Sequence, residues 1–251
     1  MSEAYVKQSN KDSIATIEFF HPAQNSLPAT VLGELAEAIL RAGEDDTVSV
    51  IVLQSGGERT FCAGASFNEL MQINDAEAGR TFFSGFAHVI NAMRKCPKFI
   101  IGRVQGKVVG GGVGLAAATD YCMATKFAAI KLSELAVGIG PFVVGPAVVR
   151  KLGISAMSQI AIDANRFFDA DWALQKGLYA SLHGSIEELD DAVLVFAKEL
   201  SLYNPEAMAE MKKIFWQGTE HWDELLMERA GISGRLVLSD FTRATLTRFK
   251  K

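Results

Sequence analysis

The run Gly110-Gly111-Gly112-Val113-Gly114 constrains this chain more than any other segment. It follows the short apolar strand pattern Phe99–Val104 and leads into a helix of small residues, Val113–Thr119. Successive glycines let the backbone approach a ligand closely and aim N–H groups at it. The first N–H groups of a helix lack partners within the helix, and the helix dipole favours negative charge there. The run therefore predicts a backbone site for a phosphate or a developing oxyanion.

Two other interpretations of the glycine run stay open on sequence alone. Gly112-Val113-Gly114-Leu115-Ala116-Ala117 fits the loose dinucleotide fingerprint G-x-G-x-x-A, and Glu134 lies where a ribose-binding acid could follow. No second βαβ half is evident after it, which weighs against a dinucleotide fold. The small residues also suit close packing of a helix against another element, and that packing is compatible with a ligand site.

A second loop, Phe61-Cys62-Ala63-Gly64-Ala65-Ser66-Phe67, follows the buried-strand pattern Val48–Leu53 and carries small residues that leave its backbone accessible. Ser66 suits the N-cap of the next helix. No G-x-S-x-G frame surrounds it, so a nucleophilic role is disfavoured. Cys62 suits a small buried residue behind the loop. The loop therefore predicts a second backbone N–H donor.

Glu134 is the ionisable residue that best suits chemistry. It follows the apolar strand pattern Ile130–Leu132 and precedes Leu135-Ala136-Val137. A carboxyl group in apolar surroundings has a raised pKa, which suits a group that transfers protons. The competing interpretation is an exposed acid at the end of a strand.

Strand and helix patterns alternate through the first half of the chain, and helical patterns dominate from Val143 onward. This order predicts an α/β core followed by a helical C-terminal part. We expect the core to span 1–184 and the helical region to span 185–251. The weak boundary between them is Gly184-Ser185.

The bulk composition excludes several classes of protein. The 251 residues carry a formal net charge of -4, and nucleic-acid binding needs a basic face. No apolar run approaches the roughly 20 residues of a membrane span, and the polar N-terminus does not match a signal peptide. Three scattered cysteines indicate reduced thiols and a cytoplasmic location, and four histidines without metal-ligand spacing predict no metal site.

Five motifs in chain order resemble those of the crotonase superfamily, the enoyl-CoA hydratases and isomerases. Together they span about 160 residues. They are His21-Pro22-Ala23-Gln24-Asn25-Ser26-Leu27, the loop Phe61–Phe67, Gln105-Gly106 through Gly114 with Asp120 behind, Ser133-Glu134 through Gly138 and Pro141, and Ala173-Leu174-Gln175-Lys176-Gly177-Leu178.

The resemblance implies a spiral of ββα units with a helical C-terminal trimerisation region, assembled as a homotrimer or a dimer of trimers. The implied partner is an acyl-CoA substrate, with coenzyme A as part of the substrate and no separate cofactor. The backbone N–H groups of Ala65 and Gly111 would hold the thioester oxygen. The residues expected to contact the substrate, including cations for its phosphates, are Ala63, Arg59, Phe67, Gly110, Phe142 and Lys250.

The sequence departs from the family pattern where hydratases carry the first of two glutamates. That position aligns with Gly114, whereas the second aligns with Glu134. Phe142 stands where glycine is common and would narrow the space for water. One carboxylate can move a proton between two carbons, so the sequence favours isomerisation of an enoyl-CoA double bond, from Δ3 to Δ2.

Other activities remain alternatives at this point. Hydration of a 2-enoyl-CoA would be possible if Glu69 or Asp75 restored a second acid. An oxyanion hole alone could assist decarboxylation, and a catalytically weak acyl-CoA-binding homologue is also compatible with the loss of an acid. A dehalogenase is disfavoured, because its nucleophile position aligns with Phe142.

Overall fold

The computed structural model describes residues 3–249. The strands are β1 Tyr5–Lys11, β2 Ile14–Phe20, β3 Ser26–Leu27, β4 Val50–Ser55, β5 Thr60–Cys62, β6 Gly64–Ala65, β7 Phe99–Val104, β8 Lys107–Val109, β9 Tyr121–Thr125, β10 Ile130–Lys131 and β11 Ser181–His183. The helices are α1 Ala29–Glu44, α2 Phe67–Leu70, α3 Ala76–Lys95, α4 Gly111–Ala118, α5 Gly145–Ile162, α6 Ala170–Gln175, α7 Ile186–Ser201, α8 Pro205–Phe215, α9 Trp222–Leu236 and α10 Asp240–Phe249. No helix among these residues is long and apolar enough to cross a membrane.

The main sheet has the strand order β1-β2-β4-β7-β9-β11 and is parallel except for the β1–β2 pair. Its central strands are almost wholly apolar and buried, as expected where helices cover both faces. Helix α7 covers one face, where Val193 packs with Val50 and Ile101. The opposite face joins the large core that includes α1 and α3.

A smaller parallel sheet, in the order β5-β8-β10, lies beside the main sheet. Successive segments of the chain add one strand to the main sheet, one strand to the smaller sheet, and then a helix. The units are β4–β5 followed by α2 and α3, β7–β8 followed by α4, and β9–β10 followed by α5. This ββα repetition places the ends of β6 and β8 and the turn after β10 close together.

The structure contains strands that were not predicted, namely the short strands β3, β5, β6 and β8 and two edge strands of the main sheet. Strand β1 was not predicted, because its residues are polar and largely exposed and so give no alternating pattern. Strand β11 is a short, half-buried edge strand within the region predicted to be helical. The predicted C-terminal helices are confirmed as α7 to α10, whereas the division at residues 184 and 185 stays a prediction.

Helices α3 and α9 cross closely at a pair of glycines. A Cβ on Gly79 would lie 2.6 Å from the Cα of Gly234, so no side chain fits at this crossing. Both helices also contribute to the cavity described below, through Phe82 and Ser233. The crossing therefore fixes the distance between two of its walls.

We expect Gly79→Ala to lower the free energy of unfolding by about 1–3 kcal/mol, because the added methyl group overpacks the crossing. The matched control is Gly33→Ala in α1, where a Cβ meets no atom within 4 Å. That variant should gain up to about 1 kcal/mol from helix propensity. Urea unfolding of both variants checks the pair, and equal stabilities would contradict the close crossing.

Candidate active site

The two predicted oxyanion loops meet at glycines. A Cβ on Gly64 would lie 3.7 Å from the amide nitrogen of Gly111 and 3.4 Å from the carbonyl oxygen of Val109. Gly64 has a φ of +92° and Gly110 a φ of +55°, which side chains rarely tolerate. The structure therefore brings together two segments that are almost fifty residues apart in the sequence.

The direction of the Ala65 N–H follows from the pairing of β6 with β3. The Ser66 N–H donates to the Leu27 carbonyl at 2.9 Å, and the Ala63 N–H donates to the Asn25 carbonyl at 3.1 Å. Neighbouring N–H groups of an extended chain point to opposite sides, and the positive φ of Gly64 interrupts this alternation between Ala63 and Ala65. The Ala65 N–H therefore points away from β3, and Ala65 is one of the residues that line the cavity.

The second donor lies at the start of α4. Because the helix begins at Gly111, this N–H precedes the first intrahelical hydrogen bond. The Gly110 N–H donates to the Lys131 carbonyl at 2.9 Å, which fixes the loop against β10. A Cβ on Gly111 would lie 2.3 Å from the Phe86 ring, so the ring closes this side of the loop.

The Glu134 carboxylate lies against the same loops. Its Oε1 is 3.2 Å from the position of a Cβ on Gly110. Its Oε2 is buried and has no hydrogen-bond partner, although the residue as a whole is partly exposed. Burial raises the pKa of Glu134 from its ordinary value of 4.5 to about 7. The acid predicted from sequence is therefore at the site and not an exposed strand end.

The turn that carries Glu134 is held from two sides. The Ile139 N–H donates to the Glu134 carbonyl at 3.0 Å. Helix α10 packs on the turn, where a Cβ on Gly138 would lie 2.4 Å from Oγ1 of Thr242. The C-terminal helix therefore supports the position of the carboxylate.

A cavity of about 520 Å³ surrounds these groups. Its walls are mostly apolar and include the phenylalanines Phe67, Phe82, Phe83, Phe86 and Phe142. It brings together most of the residues predicted from sequence, namely Ala63, Ala65, Phe67, Gly110, Gly111, Glu134 and Phe142.

Of the two predicted phosphate-binding cations, the structure describes only Arg59, which does not line this cavity. Arg59 is exposed and borders a separate pocket of about 140 Å³ beside His21 and Gln24. Lys250 lies outside the described residues. Lys131, which sequence reasoning missed, does line the cavity. Its only sequence signal is a charged residue at the end of an apolar strand.

The Val144 side chain fills the space that a glutamate at position 114 would need. A Cβ on Gly114 would lie 2.5 Å from Cγ1 of Val144, so a larger residue at 114 clashes with it. Sequence reasoning recognised Phe142 but not Val144, although the bulky run Phe142-Val143-Val144 is a usable signal. The departure at Gly114 is therefore matched by a compensating side chain across the site.

Neither alternative acid restores a pair. Glu69 accepts the Ala29 N–H at 2.9 Å, and Asp75 accepts the Ala78 N–H at 2.8 Å as the cap of α3. Neither residue lines the cavity. The hypothesis that one of them replaces the missing glutamate is therefore wrong for this arrangement.

The alternative nucleophiles have structural roles. The Ser66 hydroxyl accepts the Glu69 N–H at 3.3 Å, which confirms the predicted helix cap. Cys62 is fully buried, and burial raises the pKa of its thiol to about 12. Within residues 3–249, no group of three His, Cys, Asp or Glu residues could hold a metal ion.

Comparison with known proteins places these features in one family. The profile of the Enoyl-CoA hydratase/isomerase family matches residues 9–233. The chain therefore belongs to this family of enzymes, within the crotonase superfamily. Its ββα repetition and helical C-terminal region are those of the crotonase fold, as predicted.

Individual relatives differ in their reactions. The chain is 28% identical to the peroxisomal Delta(3,5)-Delta(2,4)-dienoyl-CoA isomerase of Arabidopsis thaliana, over 86% of this chain and 81% of that protein. It is 34% identical to the bacillaene synthase dehydratase PksH of Bacillus subtilis, over 59% of this chain and only 57% of that protein. The solved enoyl-CoA hydratase of Bacillus halodurans superposes with a TM-score of 0.88 at 22% identity, covering 97% of this chain and 99% of that one.

The raised pKa of Glu134 predicts how stability depends on pH. The folded state binds this proton more tightly than the unfolded state does. The free energy of unfolding therefore falls as the pH rises from about 4.5 to about 7. Glu134→Gln removes that loss. The free energy of unfolding of the variant minus that of wild type should be about 2 kcal/mol larger at pH 8 than at pH 5. Chemical denaturation at both pH values measures this difference.

The exposed residue Glu34 on α1 offers the matched control, Glu34→Gln. Its effect on stability should be nearly the same at the two pH values. A pH-independent effect of Glu134→Gln would show that the carboxyl group is not desolvated in solution.

Proposed function

We propose that this protein isomerises the double bond of an enoyl-CoA thioester, with Glu134 as its single acid/base. The observation that carries the proposal is the composition of the cavity. Glu134 is the only carboxylate lining it within residues 3–249, and Val144 fills the space of a second. The backbone N–H groups of Ala65 and Gly111 supply the oxyanion hole.

The proposed reaction is a proton shift from carbon to carbon. The Glu134 carboxylate removes a proton from C2 of a 3-enoyl thioester, and the electron pair moves into the carbonyl to give a dienolate. The N–H groups of Ala65 and Gly111 donate to that oxygen, and each such donor contributes about 2.7–4 kcal/mol to lowering a barrier of this kind. The protonated Glu134 then returns its proton to C4, which leaves the double bond between C2 and C3.

The pKa of Glu134 suits both halves of this shift. At about 7, the carboxyl group is substantially ionised near neutral pH, and its conjugate acid still gives up the proton readily. The unpartnered Oε2 has no donor that would stabilise the ionised form and weaken the base.

Hydration is supported less well by the same cavity. Adding water requires a held water molecule and a proton donor for the other carbon, which two acids supply more readily than one. Here the site of the second acid is occupied by Val144, and the Phe142 ring lies on the cavity wall. The relatives include an isomerase and a dehydratase, so their names favour neither reaction.

We also propose that the protein acts as a homotrimer or a dimer of trimers in the cytoplasm. It would use coenzyme A as part of the substrate and no separate cofactor. The family resemblance supports the assembly, and the three buried, unpaired cysteines are compatible with a reducing compartment.

Glu134→Gln should lower turnover of a 3-enoyl-CoA by a factor of about 10²–10⁴, because it removes the proton carrier. In the wild type, kcat/KM should rise with pH through about 7, since the ionised form is the base. The ultraviolet absorbance of the conjugated product follows both. Glu69→Gln, outside the cavity, serves as the control and should retain activity. Unchanged turnover in Glu134→Gln would sink the assignment.

Gly114→Glu alone should reduce isomerase activity and stability, because its side chain clashes with Val144. The double variant Gly114→Glu with Val144→Gly should recover at least part of the lost stability and gain hydration of a 2-enoyl-CoA. Loss of the product's ultraviolet absorbance measures that gain. If the single variant is as stable as wild type, Val144 does not block the second acid.

A further inference from the structure

The cavity has an apolar end where α3, α9 and α10 meet the turn that carries Glu134. Phe83 of α3, Leu246 of α10 and Ile139 of the turn line the cavity there. They belong to one small hydrophobic cluster that also contains Val237, directly after α9. Ile139 and Leu246 are almost completely buried. We call this region the distal end of the cavity.

The distal end is separated from the oxyanion loop by about two turns of α3. Phe86 packs against Gly111, where a Cβ would lie 2.3 Å from its ring. Gly79 contacts Gly234 of α9 at the helix crossing, and it lies about 10 Å before Phe86 along the axis of α3. Phe82, between these two positions, also lines the cavity. The α3 wall therefore runs from the oxyanion donor to the crossing with α9.

Ser233 of α9 supplies a polar group to this end. It precedes Gly234 at the crossing, lines the cavity and is only 1% exposed. Among residues 3–249, the other polar side chains that line the cavity lie on strands, turns or loops, namely Ser26, Lys131, Ser133, Glu134 and Asn165. The hydroxyl of Ser233 is therefore the one polar side-chain group on the walls that α3, α9 and α10 contribute.

The Ser233 hydroxyl has no hydrogen-bond partner within residues 3–249, whereas every other buried hydroxyl group described there has one. The Ser84 hydroxyl, for example, donates to the Thr81 carbonyl in its own helix at 2.7 Å. The fully enclosed side-chain atoms without a partner are Oε1 of Gln105 and Oε2 of Glu134, so the Ser233 oxygen is not sealed in by protein atoms. Ser233 therefore presents a free hydroxyl to the cavity.

We propose that Ser233 is a specificity-determining residue that selects an acyl chain carrying a hydroxyl or keto oxygen. This proposal rests on the proposed function, because it takes the thioester oxygen to lie at the Gly111 N–H. With C2 to C4 beside Glu134, the rest of the chain follows the α3 wall toward Ser233. Allowing about 2.8 Å for the hydrogen bond leaves about 7 Å of the wall for the chain. An extended chain advances about 1.2 Å per bond, which places the oxygen near C7.

The apolar surroundings make this hydroxyl selective. A serine hydroxyl can donate to a keto oxygen or accept from an alcohol. A substrate oxygen buried in the distal end without a partner would lose its hydrogen bonds to water, which weakens binding. A plain chain instead leaves the Ser233 hydroxyl unpaired. Among the described residues, no lysine or arginine of α3, α9 or α10 lines the cavity, so a neutral oxygen fits better than a carboxylate.

Close packing at the crossing accounts for a small residue at position 233 but not for its hydroxyl. Alanine would meet the same steric demand and has a higher helix propensity. A buried hydroxyl without a partner also lowers stability. The free energy of unfolding of Ser233→Ala should therefore equal or exceed that of wild type.

The test measures the binding of saturated CoA thioesters, which cannot be isomerised. Calorimetry gives the Kd of octanoyl-CoA, of its derivatives with a hydroxyl at C6, C7 or C8, and of the derivative with a keto group at C7. The Kd of the plain thioester divided by that of an oxygenated one measures the selectivity. For at least one oxygenated ligand, this ratio should fall about three- to tenfold in Ser233→Ala.

The matched control is Ser84→Ala. It removes another buried serine hydroxyl, which bonds within α3 and does not line the cavity. The selectivity of this variant should equal that of wild type for every ligand.

Two results would overturn the role of Ser233. One is an unchanged selectivity in Ser233→Ala for all the oxygenated thioesters. The other is a clear loss of stability of Ser233→Ala in urea unfolding, which would mean that the hydroxyl bonds to the protein. If wild type binds none of the thioesters, the proposed function fails and this proposal fails with it. Normal binding with unchanged selectivity overturns the role of Ser233 alone.

The ligand that responds identifies the direction of the hydrogen bond. If selectivity falls for the keto derivative, Ser233 donates to the substrate. If it falls only for a hydroxyl derivative, the substrate alcohol donates to Ser233. Both outcomes support the proposal.

Discussion

The site depends on the backbone conformation of Gly64 and Gly110, whose φ angles of +92° and +55° side chains rarely adopt. A Cβ on Gly64 would contact the amide nitrogen of Gly111 at 3.7 Å, and a Cβ on Gly110 would lie 3.2 Å from the Glu134 carboxylate. The ββα repetition brings the three segments together. Gly64 follows β5, Gly110 follows β8, and Glu134 follows β10, and these three strands form the smaller sheet. The Glu134 carboxylate, Ala65 and Gly111 all line one cavity.

The same packing sets the energetics of Glu134. An ionised carboxylate without a hydrogen-bond partner is costly to bury, so the folded chain favours its protonated form. Near neutral pH this cost lowers the stability of the folded state, and the burial of a large apolar core offsets it. The pKa of about 7 and the loss of stability above it therefore have one physical cause. A donor placed on Oε2 would stabilise the fold and weaken the base.

The sequence predicted what local pattern encodes, and little of what depends on contacts between distant segments. The two donor loops, the Ser66 cap and Glu134 follow from small residues, turn chemistry and an apolar strand. The clash between Gly114 and Val144 joins residues thirty positions apart, and no periodicity reports it. Lys131 was missed for the same reason, because its place in the cavity wall depends on the pairing of β10 with β8.

The packing of Val144 against Gly114 leaves no space for a second acid at position 114. Restoring a glutamate at 114 requires about the volume that the Val144 side chain now fills, and the interior is packed too densely to supply it elsewhere. Neither single change is neutral. Gly114→Glu alone clashes with the Val144 side chain, whereas Val144→Gly alone leaves a void. The oxyanion hole is indifferent to both changes, because it consists of backbone groups. In the proposed mechanism the two elements are therefore separable: the oxyanion hole would select the class of substrate, and residues 114 and 144 would determine which proton transfers it can undergo.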